Sequence, residues 1–487
     1  MILSITEQLK NLLRHSSIYT ISTFLQRALG LVMLPVYTNL QYIPSKTDLA
    51  DQALVYTFIA FMTIIFLYGL DSAVLRYFFL GEYKREDVYK TAFLSLIVNV
   101  IFLSGLIIYF SESLAVVILD NSSLSRYMEL TALILVFDSL GNMPYLVLRA
   151  EERSVLYSAM RMTRFFLEFI LNIIFVMVLR QGVIGILYAT LLASILNFFM
   201  LLPFQWKYLK GKFSWPILKT LLAFGLPMLP NGIAFLVVEV SDKYVMRLIG
   251  TKEMLGTYAP NHKWGSLIML IVMAFRTAWQ PFFLKLAKET NAKEIYSRTL
   301  TYFVFGITLL ILWGSFFIEY LVKIPVGSSA TLMGREYWDG LKIIPLILTS
   351  YLFYGIYVNM TVGVYIMKKT KYMALITGAA ALVNVGSNLY LIPAYGVMGA
   401  SMAALLSYLA MAVLVFILNQ KIYPIAYDYK RLGFLLIFLA AFLALYYSVD
   451  LSLLIRILLA LFIPVMFLVG GFFDKIEIDR LKQIIKK

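Results

Sequence analysis

The chain has no cysteine and only two histidines, His15 and His262, in 487 residues. This excludes disulfides, iron–sulfur clusters and thiolate zinc sites, and leaves no histidine cluster for a metal. Charge is scarce as well. Only 14% of residues are Asp, Glu, Lys or Arg, where a soluble domain carries about 25%. No P-loop, HExxH or Rossmann fingerprint occurs, so neither an ATPase motor nor a nucleotide cofactor is expected. Long polar segments are also missing. The longest connection on its side of the membrane is 322–339, too short for the large external catalytic loop of a membrane polysaccharide polymerase or ligase.

What the chain has is apolar surface. Hydrophobic residues make up 61%, more than one soluble core can hide, so lipid is the expected solvent for most of them. A membrane-spanning helix needs about 20 mostly apolar residues. Fourteen stretches qualify: 16–40, 51–79, 90–110, 126–149, 154–179, 182–204, 217–241, 255–284, 299–321, 340–367, 371–392, 396–419, 431–449 and 451–473. The segment 113–119 is too short to span and reads as interfacial. Met1 to Arg14 is polar and amphipathic, and no small-residue cleavage site follows, so the first span is the expected insertion signal.

Loop charge orients these spans. With the N-terminus placed in the cytoplasm, 26 Lys and Arg lie in or beside the cytoplasmic connections and tails. Nine lie at the opposite connections and seven within spans. The asymmetry follows the positive-inside rule and places both termini in the cytoplasm. The net charge of +15 is thus a topology signal, and no nucleic-acid partner is expected.

The chain repeats itself. Gly182-Val183-Ile184-Gly185 precedes Ala189, Leu191 and Leu192, and Gly396-Val397-Met398-Gly399 precedes Ala403, Leu405 and Leu406 at the same offsets. Asn172 and Asn384 sit in the span before each. The six-span spacing predicts an all-α fold: a polytopic membrane protein of about 14 helices, in two six-helix lobes related by a pseudo-twofold axis, plus two C-terminal helices. The lobes would cover 1–210 and 211–422, and 423–487 would hold the added spans and a basic cytoplasmic tail.

Several ionisable residues fall at mid-span: Arg27, Asp138, Arg161, Arg164, Glu168 and Arg276. A charge at the bilayer centre costs at least ~2.5–3.5 kcal/mol, so these groups must face one another or water. Arg161, Arg164, Glu168 and Asn172 stand at i, i+3, i+7 and i+11, one stripe of a helix. Buried structural salt bridges explain any single member, and a hydrated lumen explains the set. Arg76, Arg149 and Arg456 lie near span ends, where arginine snorkels to headgroups. The deep groups lean basic, with Lys263 nearer one end and Asp71 and Glu239 nearer the ends. Arginine's planar fork suits phosphate oxygens. An anionic cargo is therefore expected over a drug cation. Asp138, Glu168, Glu239 and Asp71 are candidates for H⁺ or Na⁺ coupling or counter-charge. Pro227 and Pro230 are the expected hinge of the seventh span.

The segments FGLPMLPNG (224–232), VSDKYVM (240–246), GTYAPNHKWGSL (256–267) and AFRTAWQPFF (274–283) resemble Wzx-type oligosaccharide flippases. GLDSAVLRYFF (69–79), RAEERS (149–154) and YIMKKTKYM (365–373) resemble other parts of that family. These proteins belong to the multidrug/oligosaccharidyl-lipid/polysaccharide exporter superfamily. The resemblance implies alternating access around a central cavity in a bacterial or archaeal cytoplasmic membrane, without catalysis. It implies an undecaprenyl-pyrophosphate-linked oligosaccharide as cargo, for O-antigen, capsule or exopolysaccharide, with a polymerase and glycosyltransferases as partners. Arg27, Arg161, Arg164, Arg276 and Lys263 would hold the pyrophosphate and glycan. A cation or drug exporter of the same superfamily is the alternative, followed by a membrane polymerase or ligase.

Overall fold

The computed structural model describes residues 30–80, 82–287, 289–326, 330–367, 369–469, 472 and 473. Eleven described helices are long and apolar enough to cross a membrane. They fall on the expected spans two to four and six to thirteen. The expected fifth span is the helix Ser154–Asn172, continued by a π-helical stretch Ile173–Val178. The expected fourteenth is the helix Leu453–Val469. Most of the first span, Arg27 included, lies outside the described residues. The short segment read as interfacial forms the helix Ser111–Leu119.

Breaks in the long helices have local causes. The second span divides into Lys46–Leu67 and Leu70–Leu80, because Tyr68 and Gly69 take positive φ angles of 34° and 78°. Where proline was expected to bend the seventh span, a 3₁₀ turn, Leu226–Met228, joins Trp215–Gly225 to Leu229–Ile249. Proline removes the backbone donor that would continue the α ladder. The eighth span divides at Ser266 into Lys252–Gly265 and Leu267–Leu286. There the Ser266 hydroxyl donates to the Lys263 carbonyl at 2.8 Å, satisfying an oxygen that the break would leave free.

The internal repeat is visible in packing. The fourth-span helix Ser125–Ala150 packs on the sixth, Gly182–Gln205, as the tenth, Ile344–Met360, packs on the twelfth, Val397–Ile422. The fifth and eleventh helices lie against the sixth and twelfth in the same way. Gly182 and Gly396 have φ of 59° and 58°, a conformation that other L-residues rarely adopt. The repeated glycine thus marks the same tight entry into two equivalent helices.

The thirteenth and fourteenth helices, Tyr429–Ser448 and Leu453–Val469, lie against the ninth, Ala292–Val322. Arg456 was expected to reach the headgroups. It is instead 7% exposed and bonds Glu319 Oε2 at 3.1 Å, the Phe316 carbonyl at 3.2 Å and the Leu451 carbonyl at 2.9 Å. A carboxylate and a carbonyl on the neighbouring helix, with a carbonyl just before its own helix, replace the headgroups as partners.

One end of the molecule carries a two-residue β-hairpin, Pro325–Val326 paired with Ala330–Thr331, between the ninth and tenth spans. We call this the hairpin end. The other is the basic-loop end, with the connections around 81–84, 151–153, 206–214 and 288–291.

Candidate functional site

A cavity of about 490 Å³ lies between the two sets of helices, in the half of the molecule toward the hairpin end. Its first wall comes from spans one, two, four, five and six, with Tyr37, Gln52, Tyr56, Asp138, Arg164, Glu168 and Thr190. The facing wall comes from the seventh and eighth, with Lys243, His262 and Lys263.

The charges of the first wall all have polar partners on that side of the cavity. Arg164 pairs with Asp138 Oδ1 at 2.8 Å and donates to Ser194 Oγ at 3.1 Å. Glu168 Oε1 accepts from the Thr190 hydroxyl at 3.2 Å, which lies 2.7 Å from the Tyr56 hydroxyl. Asn172 accepts from the Tyr37 hydroxyl at 2.7 Å and donates to the Glu168 carbonyl at 2.8 Å. The facing wall differs. Among the described residues no carboxylate lies in ion-pairing range of Lys243 or Lys263. Lys263 instead sits 5.6 Å from the centre of the Tyr37 ring, across the gap between the walls.

The other candidates are dispersed. Arg161 leaves the stripe and packs over the rings of Tyr145 and Tyr157, at 4.0 and 5.4 Å. Arg276 lies in a separate pocket of about 20 Å³ with Trp279, Tyr357 and Tyr365, and donates to the Tyr354 hydroxyl at 3.1 Å. Glu239 is outside the cavity and accepts from Tyr351 at 3.1 Å and Tyr408 at 2.6 Å. Asp71 opens the Leu70–Leu80 helix near the basic-loop end. Arg27 lies outside the described residues. No group of three or more His, Cys, Asp or Glu is placed to hold a metal among the described residues.

Contacts between the two walls lie beyond the cavity at both ends. At the hairpin end, Arg247 donates to the carbonyls of Val116, Val117 and Ile118, each at 3.3 Å, and lies 3.4 Å from Asp120. Lys252 bonds the Leu119 carbonyl and pairs with buried Asp51 at 2.8 Å. The Gly334 amide donates to Thr38 Oγ1 at 2.8 Å. At the basic-loop end, Gly69 meets Gly225 backbone to backbone; a Cβ on Gly69 would stand 2.2 Å from the Gly225 oxygen. Arg76 covers this contact, 4.5 Å from the Phe224 ring centre.

The sequence pattern of the family described as "Polysaccharide biosynthesis protein" matches residues 45–329, more than half of the chain and every wall of the cavity that lies beyond the first span. The chain belongs to this family. No curated protein sequence matches it significantly. Its fold is shared with solved structures of low identity. A lipid II flippase, MurJ, in an inward closed conformation is 17% identical, with a TM-score of 0.70 over 93% of this chain and 98% of that one. An inward-facing multidrug resistance MATE family transporter of the MOP superfamily is 16% identical, with a TM-score of 0.60 over 83% and 97%. A MOP superfamily transporter from Pyrococcus furiosus is 14% identical, with a TM-score of 0.61 over 85% and 94%. These likenesses establish the fold of this family member as that of a multi-pass membrane transporter or flippase.

Lys243, Tyr37 and Tyr56 were missed as wall residues. Lys243 stands four residues after Glu239, a spacing that reads as a helical ion pair. Tyrosines from the tenth and twelfth spans take up Glu239 instead, and Lys243 turns to the cavity. For Tyr37 and Tyr56, nothing in sequence spacing separates a tyrosine of the membrane interface from one in a cavity wall.

Proposed function

We propose that this chain is a flippase that moves an undecaprenyl-pyrophosphate-linked oligosaccharide across the cytoplasmic membrane for surface polysaccharide assembly. The observation that carries this reading is the pair of lysines, Lys243 and Lys263, facing a membrane-depth cavity without a carboxylate partner among the described residues. Unpaired cations at this depth are costly, and an anionic cargo offsets that cost by charge-assisted hydrogen bonds. A drug cation entering the same cavity meets like charge. The sugars would occupy the space lined by Gln52, Tyr56 and Thr190, with the polyprenyl tail in lipid.

The walls would part alternately at the two ends. The bend at Pro227 and Pro230 lies beside the Gly69–Gly225 contact, where a hinge would release the basic-loop end. Glu168 and Glu239, each held by neutral hydroxyls, are the carboxylates we assign to H⁺ or Na⁺ coupling. Asp138 serves as the counter-charge of Arg164. Arg276, and Arg27 on the first span, complete the cation set. Arg161 acts through its aromatic packing.

The test is Arg27→Ala combined with Arg276→Ala at matched membrane abundance. Surface polysaccharide in the native host is expected to disappear. Undiminished export from this double variant, or dye efflux in place of glycan export by the unmodified protein, refutes the reading.

A further inference from the structure

The eighth span carries a cation on each side of its break: Lys263 in Lys252–Gly265 and Arg276 in Leu267–Leu286. They stand thirteen positions apart, about 20 Å at 1.5 Å per residue. That is some two-thirds of a hydrocarbon core of about 30 Å. A diphosphate is far shorter and cannot touch both at once.

The two positions share one chemical property and differ in another. Neither Arg276 nor Lys263 has a carboxylate partner among the described residues. Arg276 rests on a neutral acceptor, the Tyr354 hydroxyl at 3.1 Å, which an anionic oxygen replaces with a stronger, charge-assisted bond. Lys263 rests on the face of Tyr37 and shares its cavity with Lys243. The acids facing these lysines are Asp138, already held by Arg164, and Glu168, bonded to Thr190. The space differs too. The Arg276 pocket holds about 20 Å³, and the cavity at the lysines holds about 490 Å³. The first is contracted around its arginine while the second has room for a head group.

We infer that these are two successive anion stations. The diphosphate of the cargo is captured at Arg276, toward the basic-loop end, and handed across the Ser266 break to Lys243 and Lys263, toward the hairpin end. This rests on the flippase reading and adds a sequence of events to it. Arginine, with its planar fork, makes the capture site. The lysines, compact and flexible, make the release site, and the break lets the half-helices carrying the two stations move separately.

The probe is undecaprenyl diphosphate added to the full-length protein in lipid nanodiscs, with bound lipid counted by native mass spectrometry. Export of surface polysaccharide is measured in cells alongside. Arg276→Gln is expected to weaken binding roughly tenfold, the loss of one strong contact. Lys243→Gln with Lys263→Gln is expected to weaken binding less than Arg276→Gln does and to lower export roughly tenfold. Lys243→Arg with Lys263→Arg, which keeps the charge, is expected to restore export and guards against a folding defect. If the Gln pair weakens binding as much as Arg276→Gln, the cations form one site and the handover is wrong while the flippase reading stands. If the Gln pair exports normally, the second station is wrong. If the unmodified protein binds no undecaprenyl diphosphate, the flippase reading itself falls.

Discussion

The two ends of the molecule close in different ways. At the hairpin end, cations from one set of helices grip backbone oxygens and carboxylates of the other. Arg247 and Lys252 together cap the C-terminus of the helix Ser111–Leu119, where the helix dipole favours positive charge. At the basic-loop end the contact is steric, glycine on glycine with aromatic cover. When a charged contact separates, water solvates both partners, so it opens and recloses in response to charge and salt. A contact between two backbones has no side chain to rearrange. It responds only to volume. The same fold therefore has an electrostatic closure at one end and a geometric one at the other.

The contrast is open to direct attack, and the absence of cysteine makes the measurement clean. Thr57 lines the cavity wall, so Thr57→Cys introduces a single thiol there for a membrane-impermeant maleimide. The largest effect on this background is expected from Gly225→Val. Its Cβ would lie 2.7 Å from the Gly69 oxygen, so the backbones must part, at a cost of about 1–3 kcal/mol. Labelling of the introduced thiol from the basic-loop side should rise strongly, and the melting temperature should fall. Unchanged labelling would show that this contact does not close that end.

Next in its effect on labelling, though larger in its effect on stability, is Lys252→Met. It strands the buried Asp51 carboxylate, and breaking one side of a buried pair costs about 3–5 kcal/mol. The same thiol should label faster from the hairpin side alone. Adding Asp51→Leu should recover most of the lost stability, since the stranded charge is gone. Failure of that rescue would mean that Lys252 acts mainly through the Leu119 carbonyl. The smallest effect is expected from Asp120→Asn. Asp120 is exposed, and an exposed pair with Arg247 contributes less than about 1 kcal/mol. Its effect should vanish in high salt, whereas labelling from the basic-loop side should not depend on salt at all.

Much of this was legible in the sequence, because hydropathy and helical period are local. The positions of the spans, the repeated glycine entry and the proline bend follow from composition and backbone chemistry. The mid-span charges were equally legible as a set. Their partners were not. Arg161 and Arg164 are one turn apart on one stripe, yet Tyr145 draws the first onto its ring and Asp138 draws the second into the cavity wall. Glu239 and Lys243 look like a pair, yet tyrosines more than a hundred residues away separate them. Arg456 sits near a span end like any snorkelling arginine, and only the neighbouring helix decides otherwise. Spacing shows that charges are deep, and tertiary packing decides which are spent on each other and which remain for a ligand.

The Arg456–Glu319 bond has a consequence for the last span. Leu453–Val469 carries an arginine that lipid does not accept, and its carboxylate partner is on Ala292–Val322, synthesised more than a hundred residues earlier. The late helix is thus tied to an early one by a charged contact as well as by apolar packing. A chain lacking the Glu319 carboxylate would leave the Arg456 guanidinium buried with only backbone carbonyls for partners.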